Sequence, residues 1–496
     1  MREMFTDKNF IIHKIAWLIK LLLIISLVVF FAPLIILPFF NHPCADDYIC
    51  GIHLRDLGFW QYQSFIYNNW GGRFAATFVG ALFAEHNFLY DHYYLHSLLL
   101  LIINFIAVFF LLSVLNRHIL KSDLVHKNLL LISFVFIALS LCSVAEPSTF
   151  LFWFSSVITY QLPVILIEFQ VALWILLFNS DKQFPKLFAY LFLPLLVFTI
   201  NGFNEVFIIV QGFLLVLLSI WRNRISKIFL AIVLMAFIAS ALLVLLSPGI
   251  QSRTAIIESK GIMTGIAAVI FNVTEVLWSI CKNPLFWFVA CIIFVYGNYA
   301  REKFEEWVLI KFLNIYKWLA PIVILLFLIL SNGIAVTGLK GGVVPDRYVN
   351  AVIYTTVIIL LMYIFIIGVS IDLKIAGLQM HLKWIIPGLL MIGLFANDFI
   401  QQSYKSLISA PLYNTVIKER ETMLKKAAAE NKPAVVNSYN NALQIQLQKT
   451  YTHSTKTLYD LVQQKPQLIF FEDDLATDYS IATLKDFYKV DSIIVK

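Results

Sequence analysis

Long apolar runs constrain this chain more than any other feature of its sequence. A run of about 20 apolar residues crosses the hydrocarbon core of a bilayer as a helix, because backbone hydrogen bonds in lipid must be satisfied within the segment. The chain is 60% hydrophobic and 14% charged, whereas soluble domains carry roughly 25% charged residues. We therefore predict an all-α polytopic membrane protein with about eleven transmembrane helices. The predicted spans are residues 15–40, 93–115, 128–145, 162–178, 187–200, 206–221, 228–247, 284–298, 318–337, 349–371 and 384–400.

The distribution of Lys and Arg gives the predicted orientation. Two further apolar segments, 74–84 and 262–281, are short or interrupted, and we place them as helices along the membrane surface. The first run is too long for a signal-peptide core, which predicts an uncleaved span. With the N-terminus in the cytoplasm, most basic residues fall on inner segments, as the positive-inside rule requires. The outer segments before residue 400 hold only Arg55, Arg73, Arg253, Lys260, Lys282, Lys340 and Arg347.

The composition changes after residue 400, where charge rises and long apolar runs end. An odd number of spans puts this tail on the outer side. Residues 416–430 carry apolar and charged positions at helical spacing, and three short segments have the composition of strands. We predict a transmembrane domain at 1–400 and a small extracytoplasmic α/β domain at 401–496. Its predicted strands lie at 432–439, 467–474 and 491–496.

Polar residues cluster at one side of the predicted membrane domain. Several outer loops each bring an ionisable residue close to a helix end, although such residues cost a few kcal/mol near membrane depth unless they are paired or hydrated. This placement predicts a polar cavity that opens outward. The residues are Asp46, Asp47, Arg73, Glu146, Glu205, Arg253, Lys340, Asp346 and Arg347.

The order of motifs in these loops resembles that of a known enzyme superfamily. An acid pair follows the first span in "ADDY" (45–48), and an aromatic-Gly-Arg block follows in "NNWGGRF" (68–74). Then come "EPSTFLFW" (146–153) and "SPGIQSR" (247–253). Together with the outer tail, this layout resembles the GT-C superfamily of integral-membrane glycosyltransferases, and within it a bacterial branch related to O-antigen glucosyltransferases. The resemblance extends over nearly the whole chain.

The resemblance implies a fold, a location and a reaction. It implies a GT-C-like membrane domain in the bacterial cytoplasmic (inner) membrane, with the C-terminal domain in the periplasm. It also implies transfer of a sugar from a polyprenyl-phosphate donor to a glycan, lipid or protein acceptor on the outer face, within cell-envelope polysaccharide biosynthesis. A nucleic-acid partner is not expected, because the sequence lacks a basic stripe of suitable size.

The acid pair provides the candidate catalytic residues. A carboxylate can orient an acceptor hydroxyl and take its proton as the C1 atom of the sugar gains positive character. Asp46 and Asp47 are both candidates, one for catalysis and the other for structure or a metal; alternatively, both are solvated acids at a helix start. Asp47 is the candidate ligand for Mg²⁺ or Mn²⁺, which prefer oxygen, although the sequence requires no cofactor. Cys44 and Cys50 flank the pair and can form a disulfide in an oxidising compartment.

Cationic and aromatic residues provide the candidate substrate-binding groups. Arg grips phosphate oxygens bidentately, so Arg253 and Arg347 are the first candidates for the lipid phosphate, followed by Arg73 and Lys340. Arg347 pairing with Asp346, and Arg73 pairing with the acid pair, are the alternatives. Acids at a helix start are also favoured by the helix dipole, and Trp is common at membrane interfaces. With those alternatives open, the remaining candidates are Glu146, Glu205, Tyr348, Trp70 and Trp153.

Two other classes of function are alternatives. A transporter or flippase for lipid-linked sugars predicts charges midway along the helices and repeat symmetry; we expect neither, with the polar groups confined to the outer helix ends. A non-catalytic scaffold of envelope glycan assembly would use the tail as its binding module.

Overall fold

Long apolar helices make up most of the structure, a computed structural model that describes residues 2–121, 124–219, 226–304, 319–371, 379–450, 456–469 and 475–496. Within this part, nine helical segments are long and apolar enough to cross a membrane, or ten if the bent pair Ile385–Phe395 and Asp398–Glu430 is one span. The chain is therefore an all-α multi-pass membrane protein, as predicted. The nine are Trp17–Phe40, Tyr94–Leu120, His126–Ser143, Phe154–Asn179, Gln183–Asn201, Lys227–Ile256, Ile262–Cys281, Leu319–Gly338 and Asp346–Ser370.

The helices are numbered here in chain order. The first half of the chain contains α1 (Arg2–Ile36), α2 (Asp46–Leu57), α3 (Phe59–Asn69), α4 (Phe74–Ala84), α5 (Phe88–Asp91), α6 (Tyr94–Leu115), α7 (His126–Ser143), α8 (Pro147–Leu151), α9 (Phe154–Ser156), α10 (Leu162–Asn179), α11 (Gln183–Asn201), α12 (Glu205–Ser219) and α13 (Lys227–Leu245). The second half contains α14 (Pro248–Ile256), α15 (Ile262–Cys281), α16 (Pro284–Tyr299), α17 (Arg301–Phe304), α18 (Leu319–Gly338), α19 (Asp346–Ser370), α20 (Gln379–Phe395) and α21 (Asp398–Glu430). Single π-helical turns at Asn116–Leu120 and Val157–Gln161 follow α6 and precede α10.

Most predicted spans correspond to observed helices, with three differences. α12 and α16 overlap predicted spans but are shorter apolar helices than the nine. The predicted surface helix 262–281 is α15, which has the length and composition of a span and packs against α18 and α19. Its position on the membrane surface stays a prediction, and its composition favours a spanning position instead.

The short helices α2 to α5 form a layer where α1 ends and α6 begins. α2, α3 and α4 contact one another. The segment 74–84 is helical, as α4, and its position on the membrane surface stays a prediction. Leu54, Tyr62 and Ala81 form a buried cluster with Phe154. Gly58 separates α2 from α3 at φ +74°, a backbone conformation that glycine adopts without steric cost. This layer carries the acid pair and the aromatic-Gly-Arg block.

Local sequence explains where several helices begin. Pro147, Pro248 and Pro284 stand in the first turns of α8, α14 and α16, where proline's missing N–H costs no helical hydrogen bond. The side chain of Asn397 accepts a hydrogen bond from the N–H of Phe399 at 2.9 Å, which caps α21. The chain bends by 51° at that cap, so the last apolar run turns there into a long polar helix.

The tail continues from α21 with two strands and three helices. They are β1 (Ala434–Val436), α22 (Tyr439–Thr450), α23 (Lys456–Val462), α24 (Asp478–Tyr488) and β2 (Ile493–Val495). The strands pair in parallel with Ala434 opposite Ile493, so two of the predicted strands are present. The third, 467–474, falls partly outside the described residues, and 467–469 is not a strand.

The tail packs against the layer of short helices. α24 contacts α2, and Tyr48 of α2 joins Leu424, Val436 and Leu484 in one buried cluster. The guanidinium of Arg55 donates hydrogen bonds of 3.0 and 3.1 Å to the carbonyls of Phe487 and Asp486 at the end of α24. Because this core is shared with the first loop, the division into domains at 1–400 and 401–496 stays a prediction.

Candidate functional site

Asp47 is a buried acid whose hydrogen bonds join the start of α2 to the segment around Ser155. Its side chain is 0% exposed and accepts hydrogen bonds from the N–H of Ser155 at 3.0 Å, the hydroxyl of Ser155, and the hydroxyl of Tyr93 at 2.6 Å. The N–H of Cys44 approaches the carboxylate at 3.4 Å. Burial raises the pKa of Asp47 to about 6, and the hydrogen bonds from Ser155 and Tyr93 oppose that rise.

These contacts separate the two members of the acid pair. Both carboxylate oxygens of Asp47 already hold hydrogen bonds, so the geometry favours a positioning role over the predicted catalytic or metal-binding role. Asp46, the first residue of α2, is exposed, and among the described residues its side chain has no hydrogen bond or ion pair. Asp46 is therefore the member of the pair that faces solvent.

A metal does not fit the residues around Asp47. Within the described part of the chain, no group of three or more His, Cys, Asp or Glu side chains could hold an ion. The oxygens of Asp47 are committed to Ser155 and Tyr93. None of the five cysteines is joined in a disulfide; Cys50 instead accepts a hydrogen bond from Tyr62 at 3.3 Å.

Arg73, Glu205 and Arg253 form a second group, called here the arginine cluster. Arg73 donates from Nη2 and Nε to one oxygen of Glu205 at 2.9 and 3.1 Å. Arg253 reaches the other oxygen with one nitrogen at 3.5 Å. The side chains are 27%, 12% and 17% exposed in chain order. Two guanidinium groups and one carboxylate leave one net positive charge in a largely buried place.

The arginine cluster lies where three segments of the chain converge. Arg73 precedes α4, Glu205 begins α12, and Arg253 lies on α14. Gly249 permits this convergence, because a Cβ there would lie 2.4 Å from the backbone nitrogen of Gly71. A Cβ on Gly71 would lie 3.9 Å from Arg253. The glycines of "NNWGGRF" and "SPGIQSR" thus bring the two arginines to one carboxylate.

An open cavity of about 330 Å³ is lined in part by Gly71 and Phe74, which stand on either side of Arg73 in the chain. Gly71 forms part of the cavity wall, and a Cβ on this residue would lie 3.9 Å from the guanidinium of Arg253. The remaining wall comes from α3 and α4 and carries hydroxyl and amide groups as well as two aromatic rings. The lining residues are Gln63, Ser64, Tyr67, Gly71, Phe74 and Thr77.

Arg347, Trp153 and Glu146 form a third group. The guanidinium carbon of Arg347 lies 4.6 Å from the centre of the Trp153 ring, a cation–π arrangement. Asn350 holds the backbone of Glu146 through its amide, with contacts of 3.1 and 2.8 Å. Burial raises the pKa of Glu146, and the hydrogen bond from Ser148 opposes that rise. Arg347 therefore faces an aromatic ring rather than only the neighbouring Asp346.

The segment 145–161 connects Asp47 with the group around Arg347. The Trp153 ring lies against the guanidinium of Arg347. Ser155, two residues later in the chain, donates a hydrogen bond to Asp47. Tyr160, in the π-helical turn, lies 6.1 Å from Tyr348 between ring centres, and the hydroxyl of Tyr348 donates to the carbonyl of Ser331. No described hydrogen bond or ion pair joins either aspartate directly to Arg253 or Arg347.

Trp70 and Lys340 are not joined to these groups within the described residues. Trp70 is 57% exposed, and its backbone N–H bonds to Ile66. Lys340 has φ +47°, and its carbonyl accepts from the N–H of Lys260 at 2.9 Å. Their assignment to substrate binding stays a prediction.

A buried acid inside a candidate span was not predicted from the sequence. Glu168, 1% exposed in α10, accepts a hydrogen bond from the hydroxyl of Tyr354 of α19. Two residues after Glu168 in α10, the side chain of Gln170 exchanges two hydrogen bonds, of 2.8 and 2.6 Å, with that of Gln211 in α12. The expectation that polar groups are confined to outer helix ends is therefore wrong. The signal was present, since Glu168 is a lone acid within the apolar run 162–178.

Comparisons with known proteins add no relative. No protein-family model, no curated protein and no solved structure matches this chain. The site is therefore interpreted from its own residues.

Proposed function

We propose that this multi-pass membrane protein is a GT-C-type glycosyltransferase that moves a sugar from a polyprenyl-phosphate donor to a glycan, lipid or protein acceptor at the outer face of a bacterial cytoplasmic membrane. The observation that carries the proposal is the net positive arginine cluster beside an open cavity. Arg73 of this cluster directly precedes α4, which packs against α2, the helix that begins at the exposed Asp46. A cation for a leaving phosphate and an accessible carboxylate are the two groups that glycosyl transfer needs.

The proposed reaction assigns each group a role. The acceptor oxygen forms a bond to C1 of the sugar, and the bond from C1 to the phosphate oxygen breaks with its electron pair going to the phosphate. Asp46 takes the proton that the acceptor hydroxyl loses. The arginine cluster stabilises the charge that develops on the phosphate, since preorganised donors in a water-poor site are effective there. Asp47 holds Ser155, and through it the loop that carries Trp153, in place.

Genetic complementation with glycan analysis tests this proposal. We expect a strain lacking the protein to lose one sugar mass from its surface glycans or glycolipids by mass spectrometry, and the wild-type chain to restore it. Asp46→Asn should not restore it at equal protein level. Asp56→Asn is the matched control, because Asp56 is an exposed acid on the same helix; it should restore the sugar. Full restoration by Asp46→Asn would remove Asp46 from the chemistry and favour the scaffold function.

A transporter of lipid-linked sugars is a second candidate. Glu168 favours it, because an ionisable residue buried inside a membrane helix marks ion or proton pathways in many transporters. The purified protein separates the two functions. A transferase moves sugar from donor to acceptor in detergent, where no bilayer exists, whereas a transporter leaves both unchanged and moves the lipid-linked sugar across vesicle membranes.

A further inference from the structure

Four buried polar side chains along α6 and α10, called here the polar seam, carry atoms without a hydrogen-bond partner among the described residues. Each side chain belongs to a residue that is at most 2% exposed. Folded proteins keep few such atoms, and buried water commonly satisfies them. The seam therefore indicates a place that holds water. Its atoms are Oδ1 of Asn104, Oγ of Ser156, both polar side-chain atoms of Gln161, and Oε2 of Glu168.

Asn104 and Gln161 lie at the same level between two packed helices. Leu100 and Ala107 of α6 share one buried cluster with Val157 and Ile165. Asn104 lies between Leu100 and Ala107 at helical spacing, and Gln161 lies between Val157 and Ile165 in the same way, so each faces the other helix. An amide has two donors and an acceptor, which suits it to bind water.

Glu168 and Ser156 form the two ends of the seam. Glu168 follows Gln161 by seven residues, which keeps it on nearly the same face of α10, about 10 Å further along the helix. Its Oε1 accepts a hydrogen bond from the hydroxyl of Tyr354. At the other end, Ser156 directly follows Ser155, which donates to Asp47. The seam thus runs from the segment that holds Asp47 to a buried carboxyl group.

Glu168 has no ion pair with any described cation, and the hydroxyl of Tyr354 is its one observed partner there. An ionised carboxylate without a counter-ion is very costly in an apolar interior, whereas a neutral carboxyl group is tolerated. A neutral carboxyl group has an O–H that can donate into the seam. The acidic and basic side chains on the elements packed against α10 lie at helix ends instead. They are His96, Arg117, His118, Lys186, Asp346 and Arg347.

The remainder of α10 offers no similar route from the opposite end. Residues 171–179, "VALWILLFN", contain no acidic or basic side chain. The other end of α10 is preceded by the π-helical turn Val157–Gln161, and such turns are frequent at functional sites. Water can therefore reach Glu168 from the segment 145–161.

We propose that Glu168 is a proton-binding site, and that water in the polar seam carries protons between this site and the segment 145–161. In each step, Oε2 of Glu168 gives its proton to a water molecule, which passes one of its own protons to the next. Only O–H bonds form and break, and nothing is oxidised or reduced. This inference goes beyond the proposed transferase, because no sugar donor or acceptor takes part in it.

Infrared spectroscopy of the purified full-length protein in lipid bilayers tests both parts of the proposal. A protonated carboxyl group has a C=O stretching band that shifts when its proton is exchanged for deuterium. At pH 8 Asp47 is largely ionised, because its pKa is about 6, so the band should come from Glu168. We expect this band in the wild type, its loss in Glu168→Gln, and its shift after transfer to D₂O.

Variants of the seam test the route. Gln161→Leu keeps a similar side-chain volume but removes the hydrogen-bonding atoms, so it should slow the deuterium shift by about tenfold or more, as expected when buried water loses a partner. Asn332→Leu is the matched control. Asn332 is also buried with an unpartnered Oδ1, but it lies on α18, which packs against α12, α15 and α19. This variant should exchange as the wild type does.

Every other outcome overturns part of the proposal. A band that is absent from the wild type, or that persists in Glu168→Gln, would show that Glu168 does not hold the proton. If Glu168→Gln does not fold, ¹³C labelling of glutamate in the wild type replaces it, and a band that does not move on labelling has the same meaning. If Gln161→Leu does not fold, Asn104→Leu replaces it. Exchange at the wild-type rate in the folded variant, or no exchange in the wild type, would refute the water route.

Discussion

Asp47 should give the folded protein a measurable dependence of stability on pH. Its buried carboxyl group has a pKa raised from 3.8 to about 6 by burial. In the unfolded chain the group loses its proton near pH 3.9, so between about pH 4 and pH 6 only the folded protein holds that proton. Because the folded state binds more protons across this window, the free energy of unfolding falls as the pH rises through it.

The size of this effect follows from the two pKa values. A difference of one pKa unit corresponds to about 1.4 kcal/mol, so the rise from 3.8 to about 6 corresponds to about 3 kcal/mol. This stability is present below pH 4 and is lost as the pH passes 6. Asp47→Asn removes the titrating proton, so this variant should gain stability relative to the wild type as the pH increases.

Thermal unfolding in detergent, followed by tryptophan fluorescence between pH 4.5 and pH 7.5, measures the effect. Comparing variants at each pH cancels the contribution of the other titrating groups. Asp46→Asn is the matched control, since Asp46 is exposed, and it should follow the wild-type profile. A constant difference between Asp47→Asn and the wild type across this range would refute the argument, because it would mean that Asp47 does not titrate as a buried acid.

Two further predictions concern packing around the site. Gly249→Ala places a Cβ 2.4 Å from the backbone of Gly71, so it should lower the apparent unfolding temperature by the equivalent of about 2 kcal/mol. Gly388→Ala is the control, because a Cβ there would have nothing within 4 Å. Equal unfolding temperatures for the two variants would contradict the close approach of Gly249 to Gly71. Arg55→Ala removes both hydrogen bonds to the end of α24, so hydrogen exchange in 478–488 should become faster while exchange in α10 stays the same; unchanged exchange in 478–488 would show that Arg55 does not hold the tail.

The membrane fold was largely predictable from run length. About 20 apolar residues leave the backbone few alternatives to a spanning helix, which is why most predicted spans are observed. Run length was less informative for α12, α15 and α16. α12 and α16 begin within one residue of the predicted starts, at Glu205 and Pro284, and are shorter apolar helices than the nine. α15 combines a span's length with polar positions such as Asn272 and Glu275. For such helices, contacts with neighbours decide the position.

The candidate site was predictable as a set of residues but not as a set of pairs. The ionisable residues at helix ends were visible in the sequence, and Arg73, Glu205 and Arg253 do meet. Their pairing was not predictable, because Arg73 and Glu205 are 132 residues apart in the chain and Arg253 approaches them through the close contact of Gly249 with Gly71. The burial of Asp47 likewise depends on Ser155, 108 residues away.

In the proposed transferase, the segment 145–161 would link Asp47 to Arg347. Asp47 holds Ser155, and the same short stretch presents Trp153 to Arg347 and Tyr160 to Tyr348. A change in the protonation of Asp47 therefore acts on the loop that Arg347 contacts, rather than on Asp46 directly. On this basis, loss of the Asp47 contacts should alter substrate binding as well as stability, whereas loss of Asp46 should alter the chemical step alone. The two adjacent acids would then differ in function because one faces the loop and the other faces water.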